Sequence, residues 1–295
     1  MKEEAVLFGV GADLVGIVTD PKEPAPGLPA FVFLNAGVTH RIGPSRLHVR
    51  LARELAAAGH VVIRFDFSGL GDSSRRNDDL PVAESVIAET REAMDTLEKT
   101  RGIRKFVLIG ICSGATISYL TSKADDRVVA VALINAQSHL HGMDPDLGEH
   151  LRDRTIGSHS WRIALRSSFR RKNFKKAFGG QLNPIRILKM MVGIPMAMLF
   201  GGGEQGASLK AYDSAADLKA VTDRGVKLLH FYSEGDEGLD YFNVVLTPAE
   251  REQCSTGGSR FEMMAGANHV FTLLWSQDEL VRAILKWTKD EVVSA

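Results

Sequence analysis

The stretch Lys105-Phe-Val-Leu-Ile-Gly110-Ile-Cys112-Ser113-Gly114-Ala-Thr116 decides how this chain is read. Four apolar residues, Phe106 to Ile109, lead into Gly110-Ile-Cys112-Ser113-Gly114, and Ala115-Thr-Ile-Ser-Tyr-Leu120 follows with a helical pattern. A strand that reverses sharply into a helix needs small residues on both sides of its apex. Gly110 and Gly114 stand two residues before and two after Cys112. The spacing predicts a nucleophile elbow, a G-x-S-x-G type of turn that presents a reactive side chain at the end of a parallel strand. Here cysteine is at the apex. Centring the turn on Ser113 instead would put Ile111 and Ala115 at the flanks, and a β-branched residue suits poorly a turn that demands close backbone approach. With Cys112 at the apex, the Ser113 N–H becomes an oxyanion donor. The competing reading is a buried structural cysteine in a strand-to-helix turn.

Working outward, Ala5 to Val10 and Leu14 to Thr19 form two short apolar runs with the pattern of a hairpin. Gly9-Val-Gly11 lacks the third glycine and the following helix of a dinucleotide loop. Strands are expected at Ala30 to Leu34, His60 to Asp66, Val128 to Ile134, Val226 to Tyr232 and Arg260 to Met264. Helices are expected from Ser45 to Ala58, from Pro81 to Arg101, from Pro248 and from Thr272 to Val293. Val128 to Ile134 is apolar at every position, as in a strand covered on both faces. Strands alternating with helices predict an α/β fold, with a mostly parallel sheet, an N-terminal antiparallel hairpin and helices on both faces.

The alternation breaks after Ala136 and resumes at Val226, so the core is expected in two parts, 1–136 and 226–295, around a helical lid insertion, 137–225. Between Leu151 and Met190 the insertion holds eleven Lys or Arg against a single acid, Asp153, although the whole chain balances 36 basic against 36 acidic residues. Arg162, Arg166, Arg170 and Arg171 are its candidate anion-binding residues. They suit the phosphates of coenzyme A or the acidic surface of an acyl carrier protein. A solvated helix face paired with the acidic body is the plainer reading, and docking on an anionic membrane is a third. Apolar residues from Ile187 to Phe200 are candidates for an acyl pocket or for packing against the body. Gly201-Gly-Gly-Glu reads as a flexible joint.

A thiol nucleophile needs a base, and the base needs an orienting group. His269 lies in Ala265-Gly-Ala-Asn-His-Val-Phe-Thr, after the last expected strand, and Asp236 lies in Tyr232-Ser-Glu-Gly-Asp-Glu-Gly, after the preceding one. Loops at the carboxyl ends of parallel strands are where such sheets place their sites. The order Cys112, Asp236, His269 is nucleophile, acid, histidine. His269 also reads as a cap of the last helix, and Asp236 as a turn former with Asp240 or Glu234 in its role. The oxyanion hole needs two backbone donors. Val38, after Gly37, pairs in this reading with Ser113. The turn Asp66 to Ser74 is expected to be scaffold near the site.

Composition narrows the class. With 295 residues, 44% hydrophobic and 24% charged, the chain has the make-up of a globular enzyme and no basic excess for nucleic acid. Met-Lys-Glu-Glu-Ala-Val opens without the apolar run of a signal peptide, and no window reaches the ~18 apolar residues of a membrane span. Two cysteines, Cys112 and Cys254, make no disulfide framework, so a reducing cytoplasmic setting is expected. No metal-ligand spacing or cofactor motif is apparent, and the oligomeric state is left open.

These motifs together resemble the α/β-hydrolase superfamily. Asn35-Ala-Gly-Val stands where that family has a His-Gly turn, and Asp66 to Ser73 resembles its Asp-x-x-Gly-x-Gly-x-Ser turn. Gly110-Ile-Cys-Ser-Gly departs from the usual serine, a departure shared with dienelactone hydrolases. Combined with Ser-Glu-Gly-Asp-Glu-Gly-Leu-Asp-Tyr-Phe and Asn-His-Val-Phe-Thr, it looks closer to cysteine-apex hydrolases among exosortase-associated and polyketide or nonribosomal-peptide enzymes. The resemblance implies an acyl hydrolase or acyltransferase working on an ester or thioester through Cys112, His269 and Asp236. The alternatives are a serine-type esterase using Ser113 and a hydrolase-like protein that only binds a ligand.

Overall fold

The computed structural model describes residues 1–76, 80–136, 214–236, 238–239, 242 and 248–294. Two antiparallel strands, β1 (Lys2–Phe8) and β2 (Leu14–Asp20), open the chain, followed by β3 (Ala30–Leu34), α1 (Leu47–Ala57) and β4 (Val62–Phe65). Then come α2 (Val82–Arg101), β5 (Phe106–Ile111), α3 (Ser113–Ala124) and β6 (Val128–Ile134). Beyond residue 213 the described elements are α4 (Ser214–Asp223), β7 (Lys227–Ser233), α5 (Pro248–Gln253), β8 (Ser259–Met264) and α6 (Leu274–Trp287), with a π-helical extension Thr288–Val293. The eight strands form one sheet in the order β1-β2-β4-β3-β5-β6-β7-β8. β2 pairs antiparallel with β1 and β4, and every pair from β4 through β3 to β8 is parallel. This is the α/β arrangement expected from the alternation, a mostly parallel sheet with an N-terminal antiparallel hairpin.

The period-2 geometry of a strand explains why the central ones are apolar throughout. In β3, Ala30, Val32 and Leu34 enter one core layer, and Phe31 and Phe33 the other. In β5, Phe106 and Leu108 share the first layer with Met94 and Leu97 of α2 and Tyr119 of α3. Val107, Ile109 and Ile111 share the second with Leu51 and Leu55 of α1 and Leu280, Ile284 and Trp287 of α6. Helix α4, in the last part of the expected insertion, buries Leu218 and Val221 in the first layer.

Helix α1 begins two residues later than the sequence pattern suggests. Ser45 and Arg46 take left-handed φ values of 46° and 64°, so the chain makes a short 3-10 turn, Pro44–Arg46, before regular helix starts at Leu47. No helix among the described residues is long and apolar enough to cross a membrane. The rest of the expected lid, with Arg162, Arg166, Arg170, Arg171 and the apolar run to Phe200, lies outside the described residues. So does Asp240.

Candidate active site

At the end of β5 the chain turns directly from strand into helix α3. Cys112 has φ 58° and ψ −121°, a conformation that costs energy for a residue with a side chain and persists only where its surroundings enforce it. Ser113 is the first residue of α3, so the unusual dihedrals fall on Cys112 and not on its neighbour. The flanking glycines are there because there is no space for anything else. A Cβ on Gly110 would lie 2.0 Å from the Gly114 carbonyl carbon, and one on Gly114 would lie 2.7 Å from the Asn35 oxygen. Strand, helix and the loop after β3 thus meet in backbone contact around a half-buried Cys112.

That loop is fastened from both ends. Asn35, 2% exposed, donates through Nδ2 to the Thr39 carbonyl at 2.8 Å and to Asp66 Oδ1 at 3.2 Å, and its Oδ1 accepts the Phe67 N–H at 3.0 Å. Asp66 is fully buried and ion-paired with the Arg41 guanidinium, which also meets Asp72 at 2.7 Å. His40, Asp66 and Asp72 bring ligand atoms within 4.8 Å of one another. Arg41 already supplies the positive charge this cluster needs, and its Nη1 stands 2.7 Å from His40 Nε2, so the cluster serves the turn as the sequence suggested. Over the elbow, the Gly37 N–H donates to Ser113 Oγ at 2.8 Å. The Val38 N–H meets no acceptor among the described residues, nor does the Ser113 N–H at the start of α3.

The histidine arrives from the loop between β8 and α6. His269 Nδ1 lies 2.5 Å from Asp236 Oδ2, and the ring is near enough to Cys112 for the thiol to act on its pKa. Asp236 is 5% exposed. It sits in a turn permitted by Gly235 at φ 75°, and its Oδ1 accepts the Gly238 N–H at 2.8 Å. The bond to Asp236, and after it the nearness of Cys112, raise the imidazole to about 10 against the opposing effect of burial. Cys112, His269 and Asp236 therefore stand together, with the Gly37–Val38 loop beside them. Glu234, one of the two alternative acids, is engaged elsewhere: its Oε2 accepts the Gly266 N–H at 3.2 Å.

Two features had weak sequence signals. Arg41 and His40 sit in an unpatterned loop, and only their proximity to Asp66 in space gives them a role. Asn135 is marked in sequence only as the first polar residue after an apolar strand. In the structure it is fully buried and bonded to both β7 and the histidine loop.

The family model described as "Alpha/beta hydrolase family" matches residues 25–284. No curated protein matches the chain in sequence. Among solved structures, the fold is similar to an alpha-beta serine hydrolase homologue from Coxiella burnetii, with TM-score 0.55 and 16% identity over 96% of this chain and 98% of that one. It is similar to Est1E from Butyrivibrio proteoclasticus, with TM-score 0.60 and 12% identity over 98% and 99%. It is also similar to a proline iminopeptidase from Mycobacterium smegmatis, with TM-score 0.56 and 16% identity over 99% of each chain. At such identities the likeness is one of fold.

Proposed function

The chain belongs to the alpha/beta hydrolase family, and from that premise we propose that it is a cysteine-nucleophile hydrolase that cleaves ester or thioester acyl groups through an acyl-Cys112 intermediate. One observation carries the reading. The residue at the strained apex is Cys112, and near it stands an imidazole whose Nδ1 is held by a buried carboxylate. Ser113 suits the nucleophile's role less well, because its Oγ already accepts the Gly37 N–H. The imidazole adds support. With its pKa raised to about 10, His269 is protonated at neutral pH. An imidazolium already holds the proton that a departing leaving group needs.

In the proposed cycle the Cys112 thiolate attacks the acyl carbon. A C–S bond forms and the carbonyl π pair moves onto oxygen, where the Val38 and Ser113 N–H groups donate to it. Collapse breaks the bond to the leaving group, which takes the proton from His269. The neutral His269 then removes a proton from water, and the hydroxide attacks the thioester. The second collapse expels the Cys112 thiolate and releases the carboxylic acid. Asp236 holds the ring so that Nε2 faces the sulfur throughout. Within the family, Gly110-Ile-Cys-Ser-Gly places the chain, in this reading, with the cysteine-apex group, and the basic segment 151–190 suggests a carrier-linked or coenzyme A thioester as donor.

Intact mass spectrometry after exposure to acyl thioesters tests the reading. The expected result is one acyl mass per chain, mapped to Cys112, discharged by water and absent in Cys112→Ala. An adduct on Ser113, or undiminished turnover in Cys112→Ala, would overturn it. Discharge that depends on an added amine, alcohol or thiol would make the enzyme a transferase.

A further inference from the structure

Asn135 follows β6 directly, fully buried, with a left-handed φ of 48°. Asparagine enters that region more readily than most residues, which accounts for its backbone and leaves the work of its side chain to be explained. The amide is committed in two directions. Its Nδ2 donates to Ser233 Oγ at 3.0 Å and to the His269 main-chain oxygen at 2.7 Å, while its Oδ1 accepts the Ser233 N–H at 2.8 Å. Ser233 ends β7, and its carbonyl accepts the Asp236 N–H at 3.1 Å. One residue earlier, the Ile134 carbonyl accepts the Cys112 N–H at 2.9 Å. Residues 134 and 135 therefore contact the elbow, the turn that carries Asp236 and the loop that carries His269.

We propose that Asn135 is a positioning residue for the reaction, its amide clamping the His269 loop to the Ser233–Asp236 turn so that the imidazole stays in register between Asp236 and Cys112. The inference rests on the roles given above to those three residues. Beside the His269–Asp236 bond itself, the turn meets this end of the sheet through the Glu234 N–H, which donates to the Met264 carbonyl at 2.8 Å, and through the exposed bond from the Gly266 N–H to Glu234 Oε2. The Asn135 bonds to Ser233 are buried and the one to His269 is part-buried, and a bond shielded from water holds geometry more firmly than an exposed one. Among the described residues, the charged or titratable neighbours that act on the ring are Asp236 and Cys112.

Asn135→Gly separates the two contributions, because glycine keeps the left-handed backbone and removes the amide. The folded variant should lose roughly ten- to a hundredfold in kcat, with KM little changed, as expected for a misplaced catalytic group. Its His269 ring, followed by NMR of labelled histidine, should titrate well below the value of about 10 that Asp236 and Cys112 impose, moving toward the ordinary 6.5. In an Asp236→Asn background the glycine should move that titration no further. Asn135→Asp, which keeps the acceptor for Ser233 but turns the donor facing His269 into an acceptor, should show the same defect; it is the variant to read should the glycine protein not fold. Unchanged kcat and titration would overturn the proposal. So would a loss of kcat without any movement of the His269 titration, since that is the mark of a purely structural residue. The underlying assignment fails separately: turnover that survives Cys112→Ala would remove the thiol from the reaction whatever the ring does.

Discussion

Gly114→Ala tests whether the elbow and the oxyanion loop work as one rigid assembly. The added methyl would sit 2.7 Å from the Asn35 oxygen and 3.1 Å from the Leu34 oxygen, both main-chain atoms. A carbon–oxygen contact needs about 3.3 Å, so the loop must retreat by about 0.6 Å. Active-site groups tolerate displacements of only about 0.5 Å, and a shift of 1 Å costs on the order of a hundredfold in rate. The expected loss in kcat is therefore roughly ten- to a hundredfold. Stability should change less. Overpacking costs about 1–3 kcal/mol. Gly114 lies in the first turn of α3 without a positive φ, so alanine's better helix propensity returns up to about 1 kcal/mol. A Tm lowered by a few degrees is expected. Turnover of an acyl thioester, a thermal melt and alkylation of Cys112 by iodoacetamide form the assay. The thiol should still alkylate, because the insult falls on the loop and not on the sulfur. Wild-type kcat with an unchanged Tm would refute the claim that the loop is seated on the elbow. Gly110→Ala provides the contrast: its methyl would meet the Gly114 carbonyl carbon at 2.0 Å, the Gly114 oxygen at 2.1 Å and the Ala115 nitrogen at 2.4 Å, all of them backbone, and the protein should not fold.

Ser113→Ala removes the acceptor of the Gly37 N–H and should cost about two- to tenfold in kcat/KM, the worth of one modest hydrogen bond; complete loss of activity would make Ser113 the nucleophile. Asp236→Asn should lower kcat about a hundredfold or more and move the alkaline limb of the pH–rate profile down from near pH 10 toward 6.5, checked by initial rates between pH 6 and 11. The same raised imidazole stabilises the fold fully below its unfolded value of 6.5, and that contribution disappears as pH rises through about 10. His48 and His230 behave in the opposite sense. Complete burial pushes both down to about 4, so their contribution is present above 6.5 and is lost as pH falls toward 4, by at most about 3 kcal/mol each. Urea unfolding at pH 7, 6, 5 and 4.5 should show that decline, and a flat profile would contradict it.

The elbow was legible because its constraint is local. Two glycines at fixed offsets from Cys112 state a steric requirement that three strands' worth of context does not alter. Asp236 and His269 were legible through order along the chain and through their places after expected strands. Asn135 was not, since its role depends on bonds to residues 98 and 134 positions away, and no periodicity encodes such a pairing. Arg41 was missed for a similar reason. Asp66 looked like a turn residue, and only burial turned it into a charge that needs a partner. The delayed start of α1 shows the limit of periodic reading at boundaries, because apolar spacing carries through a turn whose dihedrals are left-handed.

The raised pKa of His269 also bears on which half of the cycle limits turnover. In acylation His269 already holds the proton that the leaving group needs, so the step asks for no prior change of state. Once the acyl group is transferred, the thiolate charge is gone and the ring has given up its proton. Activation of water then requires the ring to remain neutral. Asp236 still faces it, however, and the Asp236 bond is the largest cause of the raised pKa. At neutral pH the ring is therefore drawn back to the protonated form, in which it cannot serve as base. Deacylation carries the stronger dependence on pH, and the acyl-enzyme accumulates as pH falls. The carboxylate that prepares the first half of the reaction thus restrains the second, and a nucleophile other than water gains from that delay if it brings its own charge to the thioester.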